Sequence, residues 1–256
     1  MTIRNGIIAL IFAVIVGVGG WYVFTHTQSL PHVLTEKGDR QIKEETEYYL
    51  VQALYPNTTR LGTRTDSSKQ ADGRAVATIE ASIENMIADF KNEVKKALTA
   101  DEQTRLKAQN TKYSLNIASH AYNSSDFVSY EFDIFKDVGG AHPMNSYKTF
   151  VFDLKGNRVE LEDLFVSGSN YLERISAEVK KQVEAQLIAK AGAEAANSLV
   201  ADGVAARAEN FVNWVNNDGT LIILIPPYQV AAYAAGSFEA RISLDDLKDI
   251  LKPGIR

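Results

Sequence analysis

The sequence predicts an α+β protein: an antiparallel or mixed sheet covered by amphipathic helices and preceded by one N-terminal transmembrane helix. Three observations carry that expectation. Apolar residues alternate along several runs between Glu45 and Ser243, as half-buried strands require. Two other stretches repeat apolar residues at spacings of three and four, as helices lying on a core require. A nearly unbroken apolar run, Gly6 to Phe24, opens the chain. Strands that bunch with helices between them place the rest in the α+β class.

At about 1.5 Å per residue the opening run spans roughly 28 Å, close to the hydrocarbon thickness of a bilayer. Arg4 precedes it, whereas Glu36, Lys37, Asp39 and Arg40 beyond it cancel. The positive-inside rule therefore expects a single-pass cell-membrane protein, attached through residues 6–24, with a cytoplasmic N-terminus and an extracytoplasmic C-terminal domain. Trp21 and Tyr22 fall where an interfacial belt would lie. A cleaved signal peptide is the alternative. The run is longer than the roughly 7–15 residues of a signal-peptide core, and no small-x-small pattern closes it. Ala9, Ala13 and Gly17 share one helical stripe, a spacing that can pair two anchors but is also common in membrane helices. Residues 1–25 are thus read as anchor and 26–43 as stalk, since Thr25 to Arg40 is polar, contains Pro31 and shows no period. His26 and His32 in that stalk are read as solvated.

The chain has 256 residues, a formal net charge of −5 and no cysteine. That length suffices for one or two domains with a dry core. Mild acidity without a clustered basic face argues against nucleic acid. Absence of cysteine excludes a disulfide framework and thiolate metal sites. No cofactor and no metal site is expected.

Glu45 to Tyr55 reads as a strand ended by Pro56-Asn57, followed by a polar loop from Thr58 to Gly73. Val76, Ile79, Ile83, Met86, Ile87, Phe90, Val94 and Leu98 then mark a long helix, whose opposite face carries charges of both signs. Residues 44–110 are taken as a small N-terminal subdomain and 111–256 as a C-terminal α+β domain. Lys112 to Tyr122 and Phe127 to Asp137 alternate around Asn123-Ser124-Ser125-Asp126, a hairpin signal. After Asp153-Leu154-Lys155-Gly156-Asn157 the chain turns into Arg158 to Leu161. Leu172, Ile175, Val179, Val183 and Leu187 stripe a second helix, and Ala189 to Gly203 is left as helix or coil. Phe211 to Val215 reads as a helix end. Thr220 to Ile225, stopped by Pro226-Pro227, reads as a central strand buried on both faces. Ser237 to Ser243 is a further strand, and Leu244 to Leu251 a closing helix.

One stretch organises the candidate site. Apolar residues alternate through Tyr130, Phe132 and Ile134, and again through Tyr147, Phe150 and Phe152, two strands half-buried on one face. Between them Gly139-Gly140-Ala141-His142-Pro143 forms a shaped loop, because glycine opens backbone angles closed to other residues and Pro143 stops the strand. Tyr228 and Tyr233 flank a second, small-residue loop ending at Gly236. Tyrosine offers a flat apolar face and a hydroxyl, suited to sugar stacking, to a protein contact or to packing under the loop.

Gly139-Gly140-Ala141-His142, then Thr149-Phe150-x-Phe152-Asp153-Leu154-x-Gly156, Leu161-x-Asp163-Leu164-Phe165 and Pro227-Tyr228-Gln229-Val230-Ala231-x-Tyr233-Ala234-x-Gly236 carry a resemblance. The chain resembles the extracytoplasmic domain shared by the lysozyme-sensing anti-sigma factor RsiV and PdaC-type polysaccharide deacetylases. Glu45 to about Lys112 looks like the smaller domain preceding it in that family. The resemblance implies a module that binds lysozyme-like proteins or cell-wall polysaccharide (peptidoglycan). About five residues precede the apolar run and no metal-ligand set follows the module, so the shared module is expected without its sigma-binding or catalytic parts.

No catalytic set is found: the sequence has no Gly-x-Ser-x-Gly elbow, no His-Glu-x-x-His and no phosphate-cradling Gly-x-x-x-x-Gly-Lys. The protein is therefore expected not to be an enzyme, with Gly139, Gly140, His142, Tyr228, Tyr233 and Gly236 as ligand-binding residues. Two alternatives stand beside this. One is a glycan hydrolase or deacetylase in which His142, near Asp133, Asp137 or Asp153, acts as base with Asp137 as its orienter. The other is a structural envelope protein in which His142 merely fixes its own loop.

Overall fold

The structure, a computed structural model, describes residues 39–59, 61, 65–191 and 198–255. The expected anchor at 6–24 lies outside these residues, as does the expected stalk up to residue 38. Among the described residues no helix is long and apolar enough to cross a membrane.

Among the described residues, eight strands form two sheets rather than one. The first has five strands in the order β1 (Asp39–Glu45), β2 (Tyr49–Pro56), β3 (Tyr113–Asn123), β4 (Phe127–Asp137) and β5 (Met144–Asp153). It is mixed: β2 and β3 run parallel and the other pairs antiparallel. The second sheet has three antiparallel strands, β6 (Trp214–Asn217), β7 (Thr220–Ile225) and β8 (Phe238–Ser243), with β7 central.

Helix α1 (Asp66–Ala97) lies on the first sheet and buries Ile79, Ile83, Ile87 and Phe90 against Val51, Leu115, Ile117, Tyr130, Phe132, Phe150 and Phe152. A shorter helix, α2 (Ala100–Gln109), leads into β3. Helix α3 (Tyr171–Ala191) covers the second sheet, its Ile175, Val179, Val183 and Leu187 meeting Leu221, Ile223, Ile225, Phe238, Ala240 and Ile242. The short α4 (Ser198–Gly203) packs beside α3. Strand β6 crosses over β3, β4 and β5, so the sheets stack face to face between the two helices. Val215, Ile222 and Leu224 fill the seam with Tyr122 and Tyr147. Along β7 alternate residues enter the α3 core and the seam, which is the two-sided burial expected of that strand.

Several expectations need correction. Glu45 to Tyr55 is not one strand. Thr46 accepts the amides of Tyr48 and Tyr49 on its hydroxyl at 3.2 and 3.1 Å and turns β1 back on β2. β1 is an edge strand that gives only Ile42 to the core, so its polar sequence resembles a linker. The polar loop expected up to Gly73 is already helical from Asp66. Thr65 and Ser68 cap each other's backbone, and in the first two turns only Ala71 is buried, too little to set a stripe. Helix α2 was missed for the same reason, since Leu106 is its one buried residue.

Strands β4 and β5 are not half-buried on one face. Phe127 through Phe132 are all buried: Val128, Tyr130 and Phe132 toward α1, Phe127, Ser129 and Glu131 toward the second sheet. Tyr147 differs in parity from Phe150 and Phe152, so it points into the seam while they point at α1. Trp214 and Val215 belong to β6, not to a helix end. Arg158 makes an isolated bridge to Phe152 before a 3-10 turn at Leu161–Leu164. The closing helix shrinks to a 3-10 turn at Leu244–Leu247, and Leu251 then bridges to Phe165. The first sheet runs across the boundary expected at 110/111.

The outer edge of β8 is covered. Gln182 donates to Arg241 O at 2.7 Å and accepts Arg241 N at 2.9 Å, and Gln186 donates to Glu239 O at 2.6 Å. Glutamines on α3 thus stand where a further strand would pair.

Candidate functional site

The loop after β4 is shaped from beneath. Asp137 Oδ1 accepts the Gly139 amide at 2.9 Å and folds the chain over at once. Gly139 has φ +80, and a Cβ there would lie 2.9 Å from Tyr113 Cε1, so both conformation and space demand glycine. Tyr113 in turn donates to Glu102 on α2, whose carboxylate also pairs with Arg105. Those bonds from Arg105 and Tyr113 hold the Glu102 carboxyl down at about 2, and burial with the Glu102 bond pushes Tyr113 up to about 12. Gly140 is different: it needs no positive φ, and a Cβ would meet only His142 O at 3.7 Å.

The second loop is braced from the other side. Gln229 Nε2 donates to Gly203 O at 2.8 Å and Asn210 O at 2.9 Å, and a Cβ on Gly203 would come within 1.9 Å of Gln229 O. Gln229 N closes a turn onto Pro226 O at 3.3 Å, with Pro227 and Tyr228 at its centre. Tyr228 there has φ +73. A turn with proline second and positive φ third ordinarily takes glycine in that third place. The chain instead holds a tyrosine in a strained backbone, with its side chain left 52% exposed.

The two loops, 86 residues apart, meet in a cluster of rings. His142 stacks on Tyr233 with centroids 3.8 Å apart and planes 19° from parallel. Its Nε2 lies 2.6 Å from Tyr228 Oη, and Tyr228 and Tyr233 approach to 5.5 Å. Nδ1 of His142 lies 2.9 Å from Pro143 O. A carbonyl only accepts, so Nδ1 carries the proton and the neutral ring's Nε2 accepts from Tyr228. Asn145 donates to Tyr233 Oη at 3.0 Å, which leaves the Tyr233 proton free to be given outward. Burial raises the Tyr233 phenol above its ordinary value. Gly236, with φ +71, ends the Tyr233–Ala235 turn, and a Cβ there would meet nothing within 4 Å.

The His142–carboxylate pair of the alternative catalytic reading does not form in this structure. Both imidazole nitrogens are engaged, and none of the three candidate aspartates reaches them. Asp137 is spent on Gly139, Asp153 on the amides of Lys155 and Asn157, and Asp133 on His120 at 3.0 Å. The arrangement can present aromatic faces and directed hydroxyls. Among the described residues no group of three or more acidic or histidine side chains could hold a metal ion. Sequence reasoning missed Asn145, Gln229 and the Glu102–Tyr113 floor. Only the parity of Asn145 with Tyr147, opposite to Phe150, could have pointed to the first of these.

Residues 42–145 match the family described as Deacetylase PdaC, and residues 162–245 the family described as Protein of unknown function (DUF3298). The chain is 28% identical over 174 residues to the peptidoglycan-N-acetylmuramic acid deacetylase PdaC of Bacillus subtilis, a match covering 66% of this chain and 34% of that protein. It therefore spans about a third of the length of the curated relative it matches. Among solved structures it is similar to a DUF3298 family member from Bacteroides fragilis, with TM-score 0.52 and 14% identity over 84% of this chain and 92% of that one. A DUF3298 family protein from Pseudomonas aeruginosa gives TM-score 0.51 and 15% identity over 85% and 95% of the two chains. These structural likenesses concern the fold alone. The likeness to the PdaC family thus ends at residue 145 and the likeness to the DUF3298 family begins at residue 162.

Proposed function

We propose that this chain is a membrane-tethered, extracytoplasmic binding module of the bacterial envelope, whose two-loop aromatic cluster holds a sugar ring of cell-wall glycan. One observation carries the reading: Tyr228 is kept half-exposed at positive φ, against its own backbone preference, beside the stacked His142–Tyr233 pair. Strain retained at an exposed aromatic points to use rather than packing. Aromatic faces suit the apolar faces of sugars, and the Tyr233 and Tyr228 hydroxyls with Asn145 suit their hydroxyl rims. The likeness to a peptidoglycan deacetylase supports the choice of ligand. Residues 6–24 supply the tether.

The test is co-sedimentation of the full chain with insoluble peptidoglycan, beside capture on an immobilised C-type lysozyme. Retention by the wall that Tyr233→Ala abolishes without unfolding supports the reading. Retention only by lysozyme would move the site to a protein partner, and release of acetate or reducing ends by the chain itself would move it to an enzyme.

A further inference from the structure

A second group of interacting side chains lies on β3 and β4, on the face of the first sheet that meets the second. His120 Nε2 is 3.0 Å from Asp133 Oδ2, and Tyr122 Oη donates to Glu131 Oε2 at 2.6 Å. His120 and Glu131 face each other across the β3–β4 ladder. Glu131 is only 7% exposed, although it carries an ionisable carboxyl. The surrounding elements bring few compensating charges. β3 gives His120 and Tyr122, β4 gives Glu131 and Asp133, and β5 gives Tyr147. β8 gives Glu239, which is already paired with Arg241. β6 and β7 contribute apolar Val215, Ile222 and Leu224. With a proton on Glu131 and one on His120 the cluster is electrically balanced. With neither, Glu131 and Asp133 are two uncompensated carboxylates facing Glu239 across the seam.

The cluster is connected to the rings through covalent neighbours. Tyr147, opposite Asp133 in register, packs in the seam. Asn145, two residues before it on β5, holds Tyr233, whose turn leads into β8. We propose that this cluster is a proton-operated latch on the seam between the sheets, setting how firmly β8 and the Tyr233–Ala235 turn are held. Resting on the binding role proposed above, it makes ligand affinity fall as pH rises.

The direction follows from linkage. Burial, with the Asp133 charge, raises Glu131 above the ordinary carboxyl value, and the Asp133 hydrogen bond raises His120 against an opposing effect of burial. Both groups hold their protons more tightly in the fold than in the unfolded chain. Their stabilisation is complete below the unfolded values, about 4.3 and about 6.5, and is lost as pH rises through the higher folded ones.

The experiment uses the full chain in mild detergent with ¹³C-labelled tyrosine rings. The thermal midpoint, the Tyr233 ring signals and the affinity for soluble glycan fragments are followed from about pH 5 to about pH 8. A falling midpoint, moving Tyr233 signals and an affinity loss of roughly threefold or more are expected, with Glu131→Gln removing the lower-pH part of all three and His120→Gln the part above about pH 6.5. His120 is half-exposed, so that variant keeps the test open should Glu131→Gln fold poorly. A pH-independent midpoint with unmoved Tyr233 signals overturns the latch, as does a slope that neither variant alters. Moving rings with pH-independent affinity overturn the coupling to the ligand. If no glycan binds at any pH the binding role falls, and the latch is then decided by the ring signals alone.

Discussion

The two faces of the first sheet are built to different rules from the same strands. On the α1 face β4 presents Val128, Tyr130 and Phe132, which meet Phe150, Phe152 and the helix stripe in a core of aliphatic and aromatic side chains, Phe132 and Phe150 packing edge to face at 5.7 Å. On the opposite face the same strand presents Ser129, Glu131 and Asp133. The partners there are hydroxyls, amides and an imidazole: Ser129 Oγ accepts Asn216 N at 3.1 Å, and Thr149 Oγ1 accepts Trp214 N at 3.1 Å. The first face supplies cohesion. The second fixes geometry, because each polar group between the sheets must meet a defined partner or be desolvated at a cost. The ring cluster sits at the end of the second face, where Asn145 and Tyr147 continue the same side of β5.

The sharpest way to break this contrast is on the cohesive face. Phe132 is fully buried, so Phe132→Ala should cost about 3–5 kcal/mol of stability in denaturant melts, with any loss of binding tracking the unfolded fraction. On the ring side the order reverses. Tyr233→Ala should weaken glycan binding by roughly tenfold or more in calorimetry, while folding stability shifts by only about 1 kcal/mol. A large stability loss with unchanged binding would return the loops to a packing role.

Smaller effects sharpen the account of the first loop. Gly139→Ala should cost about 1–3 kcal/mol in melts, since φ +80 and the contact with Tyr113 both resist a Cβ. Gly140→Ala should stay within about 0.5 kcal/mol of the parent, because the site is open and the backbone ordinary. Equal costs at the two positions would mean the loop is not shaped by its floor.

What the sequence made readable follows the same divide. Strands and helices with an apolar face announced themselves: β3, β4, β7, the C-terminal two-thirds of α1 and all five stripe residues of α3. Elements held by polar contacts did not, namely β1 turned by Thr46, the capped start of α1, and α2 with Leu106 alone buried. In the second sheet β7 and β8 were read as strands and β6 as a helix end, and the stacking of this sheet on the first could not be read because it depends on long-range contacts. His142, Tyr228 and Tyr233 were singled out from glycine, proline and aromatic punctuation together with the motifs of the resemblance, and the structure brings them together. Their bracing by Asn145 and Gln229 could not be read, since a side-chain amide carries no periodic signal.

The central claim is that Tyr228 is kept for its ring and against its backbone. Tyr228→Gly tests it directly, because glycine accepts φ +73 without strain while removing the aromatic face. The measurement is a calorimetric titration of soluble peptidoglycan fragments into parent and variant, beside the thermal midpoint of each. The account predicts an equal or higher midpoint together with a loss of affinity of roughly tenfold. A variant that binds as the parent does, or one that melts well below it, would contradict the account and leave the cluster a structural one.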